Sequence, residues 1–161
     1  MLFAALLITA ATPQCAAPPP LAEPWTSRTQ IGQARAGALA QGAPSLILGK
    51  PLAAELTPAD HVQFAATPGK GAKEGFGGLF SLSLKTAARV GVALSGPAWV
   101  DVVTGTSPVA SVKHGHGPDC SGIRKIVWFD LPAGRHIIQI AGSQARTIKV
   151  MAADAQANQP R

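Results

Sequence analysis

The sequence predicts an all-β protein, a small antiparallel β-sandwich or jelly roll, on three observations. Apolar residues alternate with polar ones from about residue 44 onward, which is the period of a half-buried strand. The 17 glycines and 14 prolines recur between these segments as turn signals. Long amphipathic helical patterns are missing. Short strands separated by frequent turns are typical of sandwiches.

The predicted strands follow one another along the second two-thirds of the chain. The clearest alternation places Phe80, Leu82 and Leu84 on one face and Ser81, Ser83 and Lys85 on the other. Residues 126–131 are apolar on both faces apart from Asp130, which suits an inner strand. We predict strands over the following ranges: 46–48, 62–64, 80–85, 90–94, 99–103, 109–113, 126–131, 137–140 and 148–150.

The start of the chain is predicted to be a cleavable signal peptide, residues 1–17. Leu2 to Ala11 form an apolar run too short to span a bilayer, which needs about 20 residues, but suited to a signal peptide. Small residues at Cys15 and Ala17 favour cleavage after Ala17. Gln14 does not fit the small-residue pattern before a lipidated cysteine, so a lipid anchor at Cys15 is not expected. This predicts a periplasmic or secreted protein.

We expect the mature chain to have three parts. Residues 18–43, rich in Ala, Gly, Pro and Gln, read as a flexible linker with a short helical turn within Gln30–Ala40. Residues 44–151 form the β-sandwich domain, and residues 152–161 form a disordered tail.

The charge balance excludes some function classes. The net charge is +6, but the basic residues are scattered and lack interleaved aromatics, so nucleic acid is not the expected partner. A basic surface attracts anionic envelope lipids or polysaccharides. A metal ion and an envelope protein are the other expected partners. Neither a GxSxG nucleophile motif nor a phosphate-binding glycine loop is present.

The segment from Lys113 to Gly122 concentrates the unusual chemistry. His114 and His116 lie two residues apart, so an extended backbone directs both side chains to one side. A proline-centred turn at Gly117–Cys120 would return Cys120 towards His116. Two imidazoles and a thiolate suit Zn²⁺ or copper, with Asp119 as an outer partner or weak fourth ligand.

Two other interpretations of this segment stay open. A His-Gly-His-Gly-Pro stretch is also a plain polar surface loop in which Cys120 is simply a small buried residue. Cys120 can alternatively pair with Cys15, because an oxidising compartment permits disulfides. His136, which shares a face with Ile138 and Ile140, is expected to point inward and is a further candidate metal ligand.

The motif also carries three resemblances. The segment from His114 to Lys125, with the later Ala133-Gly134-Arg135, resembles short exported bacterial proteins with HGHGPxCxGIRK, some labelled homogentisate 1,2-dioxygenase. The HxH motif followed by Pro132, Gly134 and His136 resembles cupins and implies an iron-dependent dioxygenase with His114, His116 and His136 as ligands. Leu131 to Ile140 resembles the β-sandwich modules of secreted peptidases, which implies binding without catalysis.

Overall fold

The chain folds into two facing β-sheets in a computed structural model, which describes residues 31–69, 73–117 and 121–155. The all-β sandwich prediction is confirmed. The strands are β1 (Gly32–Arg35), β2 (Leu52–Glu55), β3 (Thr57–Pro58), β4 (Phe76–Leu84), β5 (Ala88–Leu94), β6 (Trp99–Thr104), β7 (Ser107–Val109), β8 (Lys113–Gly115), β9 (Lys125–Leu131), β10 (Gly134–Ser143) and β11 (Thr147–Asp154). One 3-10 turn spans Ala59–His61.

The two sheets differ in strand number. The six-stranded sheet has the order β1-β2-β11-β5-β9-β8, and the five-stranded sheet has the order β3-β4-β10-β6-β7. Every strand pair is antiparallel except β1 and β2, which run parallel. The short strand β8 therefore lies at a free edge of the six-stranded sheet, next to β9.

The hydrophobic core lies between the sheets and is built from the alternating side chains that predicted the strands. Val90 and Val92 of β5 face Phe80 and Leu82 of β4, and all four are almost completely buried. Because each strand sends every second side chain inward, burying these residues also fixes the strand register. The sandwich therefore holds its edge strands at defined positions, and one edge carries the candidate site.

The predicted linker boundary at residue 43 is wrong. Residues 32–35 form β1, and Ala36 is buried in the core. No apolar alternation marks β1, since an edge strand with mostly exposed side chains, here Gly-Gln-Ala-Arg, does not need one. A strand thus stands where a helical turn was expected. The rest of the predicted linker, residues 18–30, and the signal segment lie outside the described residues.

Four further boundaries differ from the prediction. The range 109–113 is not one strand, because β7 ends at Val109 and β8 begins only at Lys113. Leu46 to Leu48 is not a strand, although Ser45 bridges Ser81 and Leu46 is buried. Val62 to Phe64 is not a strand either; the Phe64 ring packs against Gly77 of β4 instead. The predicted tail begins too early, because β11 continues to Asp154 and pairs there with Val90 of β5. Residues 156–161 lie outside the described residues.

Candidate functional site

An open groove lies at the sandwich edge formed by β8 and the start of β9. The loop before β6 and the end of β10 complete its walls. The groove has a volume of about 390 Å³, within the usual range for a site that takes a small ligand. Its lining residues are Pro97, Ala98, Trp99, His114, Gly115, His116, Arg124, Lys125, Gly142 and Gln144.

Strand β8 carries the first histidine into this groove. Lys113, His114 and Gly115 pair with Trp128, Val127 and Ile126 of β9, respectively. Residues directly opposite in a pair share a face, so His114 is on the same face as the buried Val127. Because β8 is the outermost strand of the sheet, His114 is nevertheless exposed. His116 follows two residues later and lines the same groove, as the spacing predicts for an extended backbone.

The His116 ring is held by one hydrogen bond whose direction is fixed. Its Nδ1 lies 2.9 Å from the carbonyl oxygen of Arg124. A carbonyl only accepts, so Nδ1 carries the proton, and a neutral ring then has its lone pair at Nε2. Histidines that ligate metals are commonly oriented by this kind of Nδ1–H donation.

The loop that follows the two histidines is closed by a tight contact between Gly117 and Ile123. The Gly117 N–H donates to the Ile123 carbonyl at 3.2 Å. The side chain of Ile123 is buried with Ala93 and Met151 on the outer face of the six-stranded sheet. A Cβ added to Gly117 would lie 2.3 Å from the Cβ of Ile123, so only glycine fits here without displacing the loop. The histidine segment is thus anchored on both sides of residues 118–120.

Two of the predicted ligands cannot be placed. Asp119 and Cys120 lie outside the described residues, and so does the predicted proline-centred turn. Within the part of the chain that the structure describes, no three His, Cys, Asp or Glu side chains form a group able to hold a metal ion. The described residues thus supply no third ligand for His114 and His116.

Two other residues that line the groove, Trp99 and Lys125, were not singled out as site residues by the sequence analysis. The Lys125 Nζ lies 5.2 Å from the centroid of the Trp99 ring and donates a hydrogen bond to the Ala98 carbonyl at 3.0 Å. Partial burial lowers the pKa of Lys125, and the nearby Asp101 carboxylate opposes that shift. Sequence offered one weak signal, that Arg124-Lys125 is the chain's only adjacent basic pair.

His136 is not part of the groove. It belongs to β10, in the other sheet, where it pairs with Leu82 and Thr104 and is only 1% exposed. Its Nε2 lies 2.9 Å from the Pro132 carbonyl, and its Nδ1 lies 2.8 Å from the Thr104 hydroxyl. Both ring nitrogens are therefore used inside the sandwich. The inward orientation is as expected, but the structure does not bring His136 together with His114 and His116 as the cupin resemblance implies.

Fold and groove define a β-sandwich with an open, basic, histidine-bearing site at one sheet edge. No protein-family model matches the chain, and no curated protein matches its sequence. Along the described ranges, the structure contains no helix of the length and apolarity needed to cross a bilayer.

Proposed function

We propose that this chain is an exported cell-envelope protein whose β-sandwich binds Zn²⁺ or copper without catalysing a reaction. The ligands are His114, His116 and Cys120, with Asp119 as an outer partner. The observation that carries the proposal is the Nδ1–H donation from His116 to the Arg124 carbonyl, which prepares Nε2 as a ligand atom in the groove that His114 also lines.

The donor set determines which metals fit. Imidazole nitrogens and a thiolate favour Zn²⁺ and copper over the hard ions Mg²⁺ and Ca²⁺. Arg124 and Lys125 stand in the same groove, and their positive charges oppose a bare divalent cation. A thiolate ligand offsets part of that repulsion. The proposal therefore requires Cys120, because two neutral imidazoles beside two cations would hold a metal only weakly.

Export is the second part of the proposal, and it rests on the apolar run from Leu2 to Ala11. Cleavage after Ala17 would remove Cys15 and leave Cys120 as the remaining cysteine of the mature chain. Mass spectrometry of the protein recovered from the periplasm and medium tests this directly. We expect a mature N-terminus at Pro18. A full-length chain retained in the cytoplasm would contradict export.

Metal content of the purified protein tests the binding site. We expect about one Zn²⁺ or copper ion per wild-type chain by elemental analysis, and less than a tenth of that in the His114→Ala/His116→Ala and Cys120→Ser variants. Two matched controls should keep the metal. His61→Ala removes an exposed histidine of the 3-10 turn, which precedes the histidine motif by about 50 residues. Cys15→Ser removes the other thiol.

The outcomes separate the proposal from its alternatives. Negligible metal in both wild type and variants would overturn metal binding. A non-reduced full-length chain with no reactive thiol would indicate a Cys15–Cys120 disulfide, a structural role for Cys120. A loss of metal in His61→Ala equal to the loss in the double variant would show that binding is a nonspecific property of surface histidines.

A further inference from the structure

The groove carries positive charge that the metal proposal does not use. Among the described residues that line it, the side chains that can carry charge are Arg124, Lys125 and the two histidines, and no carboxylate is present. The chain as a whole carries a net charge of +6. A concave site lined by one sign of charge concentrates ligands of the opposite sign.

The lysine in this groove is held in position. Its ammonium lies 5.2 Å from the centroid of the Trp99 ring, and one of its three N–H donors is used by the Ala98 carbonyl. The Asp101 carboxylate, whose charge acts on Lys125, accepts a hydrogen bond from the buried Gln139 at 3.2 Å. Two N–H donors of Lys125 therefore remain for a ligand, on a side chain that has already lost much of its freedom to move.

The remaining surface of the groove suits a sugar ring. Trp99 is 45% exposed although it is a large apolar residue, so it offers apolar area to a ligand. Gln144 adds an amide that can donate to and accept from hydroxyl groups. Such a mixture of aromatic surface, amide and fixed cation distinguishes a pyranose that carries a carboxylate from a small inorganic anion.

We propose that this groove binds an acidic saccharide, a uronic acid unit of a polysaccharide chain, with its carboxylate on Lys125 and Arg124 and its ring against Trp99. The groove is open rather than enclosed, so a polymer can continue beyond both sides of the bound unit. This inference is independent of the metal proposal, because the two cations and the tryptophan are not metal ligands.

Calorimetric titration with trigalacturonic acid tests the inference on the full chain with a chelator present throughout. We expect saturable binding by wild type at low salt and a drop of at least fivefold in affinity at 0.5 M NaCl, since salt screens charge pairs near a surface. Lys125→Met and Arg124→Gln should each weaken binding at least fivefold. The matched control Lys50→Met removes an exposed lysine elsewhere and should bind as wild type does.

Additional variants and control ligands distinguish binding of the acidic saccharide from binding of other ligands and from metal binding. The His114→Ala/His116→Ala variant should still bind trigalacturonate, so a failure of metal binding leaves this inference intact. Trp99→Ala should weaken trigalacturonate but leave inorganic phosphate unchanged. Equal affinity for phosphate and trigalacturonate, equal binding of the uncharged maltotriose, or equal weakening by Lys50→Met would each overturn the inference.

Discussion

Replacing Gly117 by alanine is the sharpest test of how the histidine segment is held. The new Cβ would lie 2.3 Å from the Cβ and 2.8 Å from the carbonyl oxygen of Ile123. Rotating the Ile123 side chain cannot relieve contacts with its own Cβ and backbone, so the loop must separate. That costs the Gly117–Ile123 hydrogen bond, about 0.5–1.5 kcal/mol, and much of the burial of Ile123, about 1.5–3 kcal/mol when complete.

We therefore expect Gly117→Ala to lower the free energy of unfolding by about 2–4 kcal/mol. Gly115→Ala is the matched control, because its Cβ would have no other atom within 4 Å. That variant should stay within about 0.5 kcal/mol of wild type. Urea unfolding followed by tryptophan fluorescence measures both. If the two variants are equally stable, Gly117 and Ile123 are not in tight contact, and the account of the anchored loop fails.

Three other predictions concern groups away from the groove. Thr104→Val should lower the free energy of unfolding by about 1–3 kcal/mol, measured by urea unfolding, because it leaves the buried Nδ1 of His136 without its hydroxyl partner. Gln139→Leu should speed hydrogen exchange at the Ala66 amide, which donates to the Gln139 side chain at 3.2 Å. Asp130→Asn should reduce stability at pH 6 in urea unfolding, and the reduction should shrink as the pH falls below about 3.9. Arg89, the ion-pair partner of Asp130, lowers the pKa of the Asp130 carboxyl by hydrogen bonding and by charge. The ion pair therefore stabilises the fold fully above the ordinary carboxyl pKa of about 3.9, and this stabilisation is lost as the pH falls through the lower pKa of the folded protein.

Each of these three has its own contrary outcome. An unchanged stability of Thr104→Val would mean that water replaces the hydroxyl at Nδ1. Unchanged exchange at Ala66 would mean that the glutamine does not hold the segment over the sheet. A difference between wild type and Asp130→Asn that does not shrink as the pH falls below about 3.9 would mean that the asparagine affects packing and not the ion pair.

Strands that face the core on every second residue were predictable from the sequence. Alternating Val, Leu, Ile and Phe side chains are buried in five strands, β4, β5, β9, β10 and β11. The alternation of apolar and polar residues in the sequence predicts this burial directly. The edge strand β1 was not predictable in this way, because its role is to pair with β2 and its side chains stay largely exposed. Leu46 misled the prediction for the opposite reason: it is buried, but from a loop that only bridges Ser81.

The candidate site was predictable on one wall only. His114 and His116 share a short stretch of chain, so period-2 geometry alone was enough to expect both on one side. Trp99 and Lys125 meet from strands of different sheets, and no local pattern encodes that contact. Sequence could not exclude His136 as a partner either. The resemblance to the two-motif pattern of cupins suggested it, although His136 is one residue too close to Gly134 for that pattern. The assignment of its strand to the other sheet separates it from the groove.

The two proposed ligands make opposite electrostatic demands on one groove, and this gives a final prediction. A divalent metal on His114 and His116 is repelled by Lys125, whereas a uronate is attracted by it. Lys125→Met should therefore strengthen Zn²⁺ binding several-fold while weakening trigalacturonate, measured by separate calorimetric titrations. Methionine keeps an unbranched side chain of similar length, so the change removes the charge beside Trp99 while preserving most of the side-chain volume. By linkage, a bound metal should raise wild-type affinity for trigalacturonate by the same factor as the saccharide raises metal affinity. If Lys125→Met weakens both ligands alike, the lysine supports the structure of the groove and does not act through its charge.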